Sequence, residues 1–385
     1  MHSRPRRVGI DVSKDGLDVC AESKEGDRRG QFENSPEGIR ALIKWMGKKS
    51  AACVEATGVY HLHLCLALRK AGIDVMVINP RVARNFAVSL SVRTKTDRVD
   101  SWTLLEYLKR MEFVAWQAPS SEVLELRDLA RRLEDLIQAA SDEKKRQHAF
   151  ATGGAARFVL NDVEVNLTHL KRRIALTEKA AVSLIKSDQR LKEKFDALRT
   201  IIGIGVRSAI LLLAELLPLD PAMTVREIVA YAGLDPREEQ SGTQRKRARI
   251  SRIGNKRLRT VLFLPAMTLS VRNKHARAFC DRLVGRGKQK MQAIVAIMRK
   301  LLHVVWKIMG TLEKFDSSRL FPVDAARVAQ MGNREAMAES PDSAIGATQP
   351  EAKKSHPKGR SEAEERQLDS SQTEATGGRR TRRAA

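Results

Sequence analysis

Four carboxylates in the first 100 residues have the types and contexts that phosphoryl-transfer chemistry needs. Asp11 closes an apolar run in Val8-Gly9-Ile10-Asp11-Val12-Ser13-Lys14, and Glu55 closes another, Ala51-Ala52-Cys53-Val54. Asp97 and Asp100 stand three apart in Lys95-Thr96-Asp97-Arg98-Val99-Asp100, a spacing that puts both on one helix face. Two Mg²⁺ ions about 4 Å apart stabilise the attacking and the leaving oxygens of a phosphodiester. Mg²⁺ takes hard oxygens, chiefly carboxylates with water and substrate phosphate, so acids drawn from several elements are the donor set it requires. Without the cations, clustered carboxylates raise one another's pKa values. Each acid also has an ordinary explanation. Asp11 alone fits a turn, Glu55 a strand end, and Asp97 with Asp100 a capping pair, with Thr96 or Asp97 as the cap. The metal reading rests on the four in order within one α/β unit.

The elements that must position them are legible from apolar spacing. Val8 to Ile10 and Leu17 to Ala21 read as a hairpin around Lys14-Asp15-Gly16. Pro36 to Met46 reads as a helix, Ala51 to Val54 as a buried strand, and Tyr60 to Ala71 as a helix stopped by Gly72. Ile73 to Ile78 is a strand closed by Asn79-Pro80, and Thr96 to Met111 a helix with Val99, Leu104, Leu105 and Leu108 inward. Strands alternating with helices predict an α/β domain over 1–116. From 117 to 195, apolar residues recur at three and four among many Glu, Arg and Lys, broken at Thr152-Gly153-Gly154. That pattern predicts a long helical hairpin of coiled-coil type. Residues 196–318 read as a mostly helical domain, and 319–385 as a disordered tail poor in large apolar residues.

The helical domain carries its own candidates. Gly203-Ile204-Gly205 between two apolar helices suggests a helix-hairpin-helix turn, whose backbone N–H groups would hold a DNA phosphate; an ordinary tight turn explains it equally well. The segment 237–259 has nine basic and two acidic residues, including Arg245, Lys246, Arg247, Arg249, Arg252, Lys256, Arg257 and Arg259. So few acids argue for phosphate contact over a merely solvated face, and arginine suits bidentate phosphate binding. His61 and His63 are two apart on a helix, share no face, and read as structural; Trp102 reads as core.

Taken together, Val8 to Lys14, Val54 to Tyr60, Val77 to Pro80 and Lys95 to Ser101 resemble the DEDD-type insertion-sequence transposases, the IS-one-ten family. Ile228 to Pro236, Ser241-Gly242 and Ile250 to Asn255 resemble the C-terminal domain of the same family. The resemblance covers roughly residues 6–310 and leaves the tail outside. It implies a RuvC-type RNase H-like first domain. It also implies two Mg²⁺ ions held by Asp11, Glu55, Asp97 and Asp100, and Ser241 as a nucleophile forming a 5′- or 3′-linked DNA intermediate. Ser251 matches a motif read as structural or phosphate-contacting. The same resemblance implies excision and insertion of the protein's own element, a structured bridge RNA pairing with donor and target DNA, and a dimer or tetramer, with the helical hairpin as the natural oligomerisation element. Residues alone would make Ser241 an ordinary loop serine. No His/Asp arrangement supports a hydrolase triad, and a serine hydroxyl is weak unless activated.

Composition narrows the partners. The chain has 385 residues and a formal charge of +24, which points to a polyanion. The tail from 331 contributes only +1 of this, whereas 237–290, with sixteen basic and three acidic residues, contributes +13. Aromatics at 4 % argue against base stacking as the main binding mode. Four cysteines without zinc or disulfide spacing fit a reducing cytoplasm. No apolar signal core or membrane span is read; the longest apolar stretch, Ile210 to Leu219, is broken by Glu215 and Pro218. Two alternatives stand beside the transposase: a structure-specific nuclease using the first domain only, and a non-catalytic nucleic-acid-binding scaffold.

Overall fold

The computed structural model describes residues 5–56, 58–91, 97–237, 240–241, 244–245 and 249–321, without the side chains of Asp97, Arg98, Arg237, Gln240, Ser241, Gln244, Arg245, Arg249, Ser318 and Arg319. The expectations for Thr96, Lys246, Arg247 and the tail beyond 321 lie outside these residues.

Five strands form one sheet. β1 (Arg6–Val12), β2 (Gly16–Ala21) and β3 (Arg28–Glu33) follow one another through short turns and pair antiparallel. Helix α1 (Pro36–Met46) then crosses to β4 (Ser50–Glu55), and α2 (Tyr60–Lys70) to β5 (Asp74–Ile78). β4 and β5 lie parallel to β1 because each helical crossover carries the chain back to the end of the sheet at which the preceding strand began. The order across the sheet is β3–β2–β1–β4–β5. α1 begins where Ser35 accepts the Gly38 N–H at 3.1 Å, with Pro36 at the first helical position. Helices α3 (Pro80–Ser89) and α4 (Asp97–Arg110) complete the unit.

The alternation of β1 and β4 assigns the two faces of the sheet. Val8, Ile10, Val12, Ala52 and Val54 are buried together with residues of α1 and α2. Cys53 belongs to the opposite core, with Leu104 and Leu108 of α4 and Ala83 of α3. Gly9 shares that second face, and α4 lies directly on it: a Cβ at Gly9 would stand 2.1 Å from the Ser101 carbonyl oxygen and 2.3 Å from the Leu105 nitrogen. Gly9→Ala is therefore expected to lift α4 from the sheet and to lower unfolding stability by about 3 kcal/mol, measured by denaturant titration. A change under about 0.5 kcal/mol would mean that α4 is not seated this closely.

Two elements were not anticipated. β3 is a polar edge strand, Arg-Arg-Gly-Gln-Phe-Glu, lacking the apolar alternation that announces a strand. α3 starts at Asn79-Pro80, where Asn79 accepts the Arg81 N–H at 2.9 Å; the same dipeptide that ends β5 also caps the next helix. The far edge, β5, is covered by the segment leaving the unit, where the Trp116 N–H donates to the Val75 carbonyl at 2.7 Å.

Helices α5 (Ser121–Thr152) and α6 (Arg157–Ser187) pack along each other across a four-residue turn, making a long hairpin. The helical remainder comprises α7 (Gln189–Arg199), α8 (Val206–Leu216) and α9 (Val225–Ala232). After four two-residue strands, β6 (Pro236–Arg237), β7 (Gln240–Ser241), β8 (Gln244–Arg245) and β9 (Arg249–Ile250), come α10 (Lys256–Arg272), α11 (Lys274–Gly285), α12 (Lys290–Thr311) and the single turn α13 (Ser317–Leu320). The core does not break at the hairpin's end: Leu126, Leu133 and Ile185 join Leu198, Ile210, Leu262 and Leu301 in one continuous cluster. Each such side chain contributes about 1.5–3 kcal/mol through burial, so the hairpin's base is held by the helical domain. The chain is thus a mixed α/β sheet unit followed by a mostly helical remainder. Among the described residues no helix is long and apolar enough to cross a membrane. All four cysteines are buried thiols.

Candidate active site

The parallel register of β1 and β4 runs from Arg6↔Ser50 to Ile10↔Val54, so Asp11 and Glu55 are the next positions on neighbouring strands. By alternation both lie on the face that α4 covers. The direction of α4 then follows from its contacts. Ser101, near its start, lines a cleft with Asp18 of β2, the residue paired with Asp11. Lys109, near its end, binds Asp27 at 3.2 Å, beyond the opposite end of β2. α4 therefore runs antiparallel to β1 and carries its first turn toward Asp11. Asp100 is half-buried and immediately precedes Ser101, whose carbonyl overlies Gly9. Asp11 and Glu55 thus lie at the same end of the inner strands β1 and β4, on the face that carries the first turn of α4 with Asp100, and the backbone of Asp97 is at the first position of α4.

Asp18 was missed by the sequence reading. It stands opposite Asp11 across the β1–β2 ladder, and its Oδ1 accepts Gln31 Nε2 of β3 at 2.7 Å. With Arg29, Gln31 and Ser101 it lines a cleft of about 370 Å³. The signal available was parity: in the hairpin, Asp18 falls on the same face as Asp11.

Cys53, two residues before Glu55, has its thiol pushed up to about 12 by burial, then by Cys65 and the Glu55 carboxylate. It remains a protonated core group at neutral pH. Among the described residues no three His, Cys, Asp or Glu side chains are arranged to hold a metal ion. In kind, these acids suit Mg²⁺, since all are hard oxygen donors without a thiolate or imidazole among them.

The other candidates lie in the helical part. Gly203 has φ +94° and a Cβ there would stand 2.9 Å from the Pro265 carbonyl oxygen, so this glycine serves packing against α10. Gly205 caps α8 without a side-chain hydrogen bond and has open space beside its Cα, which leaves the first N–H groups of α8 approachable. Ser241 lies in β7, paired with Gln244. Of the basic run, Arg252, Lys256 and Arg257 are exposed, and Arg259 is half-buried. Arg257 is engaged with Glu134 at 2.6 Å, and Arg259 Nη1 donates to the Ala232 carbonyl at 2.8 Å. These last two also have partners within the chain, which periodicity and charge counts do not reveal. Ser251 N–H donates to the Asp235 carbonyl at 2.9 Å, beside β9.

Comparison with known proteins fixes the class. Residues 8–153 match the family described as Transposase, of the DEDD and IS110 type, and residues 195–281 match the Transposase IS116/IS110/IS902 family. The pilin gene-inverting protein of Moraxella bovis is 29 % identical over 317 residues, spanning 80 % of this chain and 97 % of that protein. The transposase for insertion sequence element IS1111A of Coxiella burnetii is 23 % identical over 343 residues, spanning 80 % and 90 % respectively. The α/β unit with its acids and the basic helical remainder are therefore those of a DNA transposase, an enzyme of DNA recombination. The chain belongs to the IS110 family of insertion-sequence transposases.

Proposed function

We propose that the protein excises and inserts an insertion sequence by Mg²⁺-dependent strand cleavage and exchange through a covalent serine intermediate. What supports the reading is the register that sets Asp11 and Glu55 on neighbouring strands β1 and β4, with Asp100 in the first turn of the helix over that face, together with the family's match over both halves of the chain. The sheet order β3–β2–β1–β4–β5, antiparallel on one side of β1 and parallel on the other, supports a RuvC-type RNase H-like domain over 1–116. The remaining division is the hairpin over 117–195, the C-terminal transposase domain over 196–318, and the tail.

Asp11, Glu55, Asp97 and Asp100 would hold the Mg²⁺ ions. When bound, these neutralise phosphate charge and lower the barrier to its displacement. The rest is work for the chain's own groups. Ser241 Oγ attacks a DNA phosphorus: the Oγ–P bond forms, one P–O bond to a deoxyribose breaks, and the freed sugar oxygen takes a proton. The serine proton leaves to solvent or a neighbouring carboxylate. Attack by a hydroxyl of the second DNA strand reverses the exchange and restores the serine, so bond count is conserved and no energy-rich cofactor is consumed. Gly205 at the α8 N-terminus, with Arg245, Lys246, Arg247, Arg249, Arg252 and Lys256, would hold backbone phosphates. Donor and target DNA are the substrates, a structured element-encoded RNA directs pairing, and the hairpin supports a dimer or tetramer.

The test is to trap the intermediate. The full-length protein is incubated with its guide RNA and a DNA carrying the element junction, quenched in denaturant, digested, and read by mass spectrometry. The expected result is a DNA-linked peptide containing Ser241 that forms with Mg²⁺ and not with a chelator. Cleaved DNA with no adduct would favour the nuclease; neither product would favour the scaffold.

A further inference from the structure

Glu215 is the single charged residue among the buried residues of α8 and is 9 % exposed. Its Oε2 accepts Asn255 Nδ2 at 2.6 Å, and its Oε1 stands 3.8 Å from Arg131 Nε of α5. Asn255 has no choice of orientation. Its Oδ1 accepts the Leu258 N–H at 3.2 Å and caps α10, so its amide nitrogen must face Glu215 and, at 3.3 Å, the Tyr231 hydroxyl. The backbone repeats the link: Asn255 N–H donates to the Tyr231 carbonyl at 2.7 Å. Gly254, at φ +132°, lies so close to Tyr231 that a Cβ would meet its carbonyl oxygen at 2.2 Å. From this weld the chain runs outward: Arg252 N–H bonds the Gly233 carbonyl, Ser251 N–H bonds the Asp235 carbonyl, and β6 pairs with β9 through Pro236↔Ile250 and Arg237↔Arg249. The segment joining β6 to β9 contains β7, and β7 contains Ser241.

We propose that Glu215 and Asn255 are positioning residues for Ser241. Their part-buried hydrogen bond sets the base of the β6–β9 arm, and Arg131 ties that setting to the helical hairpin. A carboxylate buried beside an amide is costly unless every partner is in place, and it therefore admits one arrangement of α8, α10 and α5. The proposal rests on the reading of Ser241 as nucleophile, and its test is built to separate the two.

Asn255→Asp keeps a good helix cap but sets a second carboxylate against Glu215. Glu215→Gln combined with Asn255→Asp restores the bond with donor and acceptor exchanged. The amide, now on α8, donates to the carboxylate, now at the α10 cap; the amide oxygen faces Arg131, and the net charge is that of the wild type. Three properties are measured on the full-length protein: melting temperature, DNA binding, and the rate of adduct formation. The spectrum of a spin label on Ser241→Cys reports arm order, the native thiols being buried. The expected result is that Asn255→Asp slows adduct formation about tenfold or more, with DNA binding unchanged and the label more mobile. The double variant should recover both the rate and the label's order. No recovery in the double variant, or a rate that falls only in proportion to melting and binding, overturns the proposal. If the label responds and recovers as expected while Ser241→Ala cleaves DNA normally, the positioning role stands and the nucleophile assignment is the one that fails.

Discussion

Asp11→Asn is expected to reduce Mg²⁺-dependent strand cleavage by about 10²–10³-fold while leaving DNA binding unchanged. The substitution preserves size and the β1 ladder but removes the charge and replaces one carboxylate oxygen with an amide nitrogen that donates rather than accepts. Glu55→Gln should behave alike, since the register sets the two acids side by side on β1 and β4. A second readout does not depend on catalysis. Saturating Mg²⁺ should raise the wild type's unfolding stability, by about 2.7 kcal/mol at a hundredfold excess over the dissociation constant, and should raise that of Asp11→Asn much less. Full cleavage by Asp11→Asn would remove β1 from the active site. Equal Mg²⁺ stabilisation of both proteins would move the ion elsewhere.

Ser241→Ala is expected to abolish the covalent protein–DNA adduct and to lower strand exchange by about a thousandfold or more, with Mg²⁺ stabilisation intact. The loss is larger than that of an orienting group because the hydroxyl supplies an atom of the bond being formed. The two substitutions therefore separate the halves of the mechanism. Asp11→Asn loses the response to the ion and keeps the serine; Ser241→Ala loses the adduct and keeps the response. A nuclease of the RuvC type gives a different pattern, since water would still cleave the DNA in Ser241→Ala. Full cleavage by that variant at the wild-type rate would decide for the nuclease.

Much of the α/β unit and of the helical hairpin was legible because their elements announce themselves locally. The β1–β2 turn, the stop at Gly72 and the apolar spacing of α5 and α6 are written in neighbouring residues. β3 and α3 were not, for opposite reasons: β3 buries too little to show alternation, and α3 buries only Ala83. In the candidate site, Asp11, Glu55, Asp97 and Asp100 stand out by type and context. Asp18 escaped because its relation to Asp11 exists only across a ladder. Arg257 and Arg259 resemble their neighbours in a basic run, yet the fold pairs one with Glu134 and commits the other to a carbonyl.

The amino-acid sequence by itself determined the chemistry on offer: hard oxygen donors in the first domain, a strongly basic second half, and a serine that stands out only by resemblance to a family. It could do so because side-chain type and short-range spacing are properties of neighbours along the chain. Only the tertiary structure decided that β1 and β4 lie side by side in register, that α4 runs back over Gly9 toward Asp11, and that Glu215 faces Asn255 rather than solvent. Those relations join residues 40 or more positions apart, and they arise from burial and hydrogen-bond pairing, which have no local signature in the sequence.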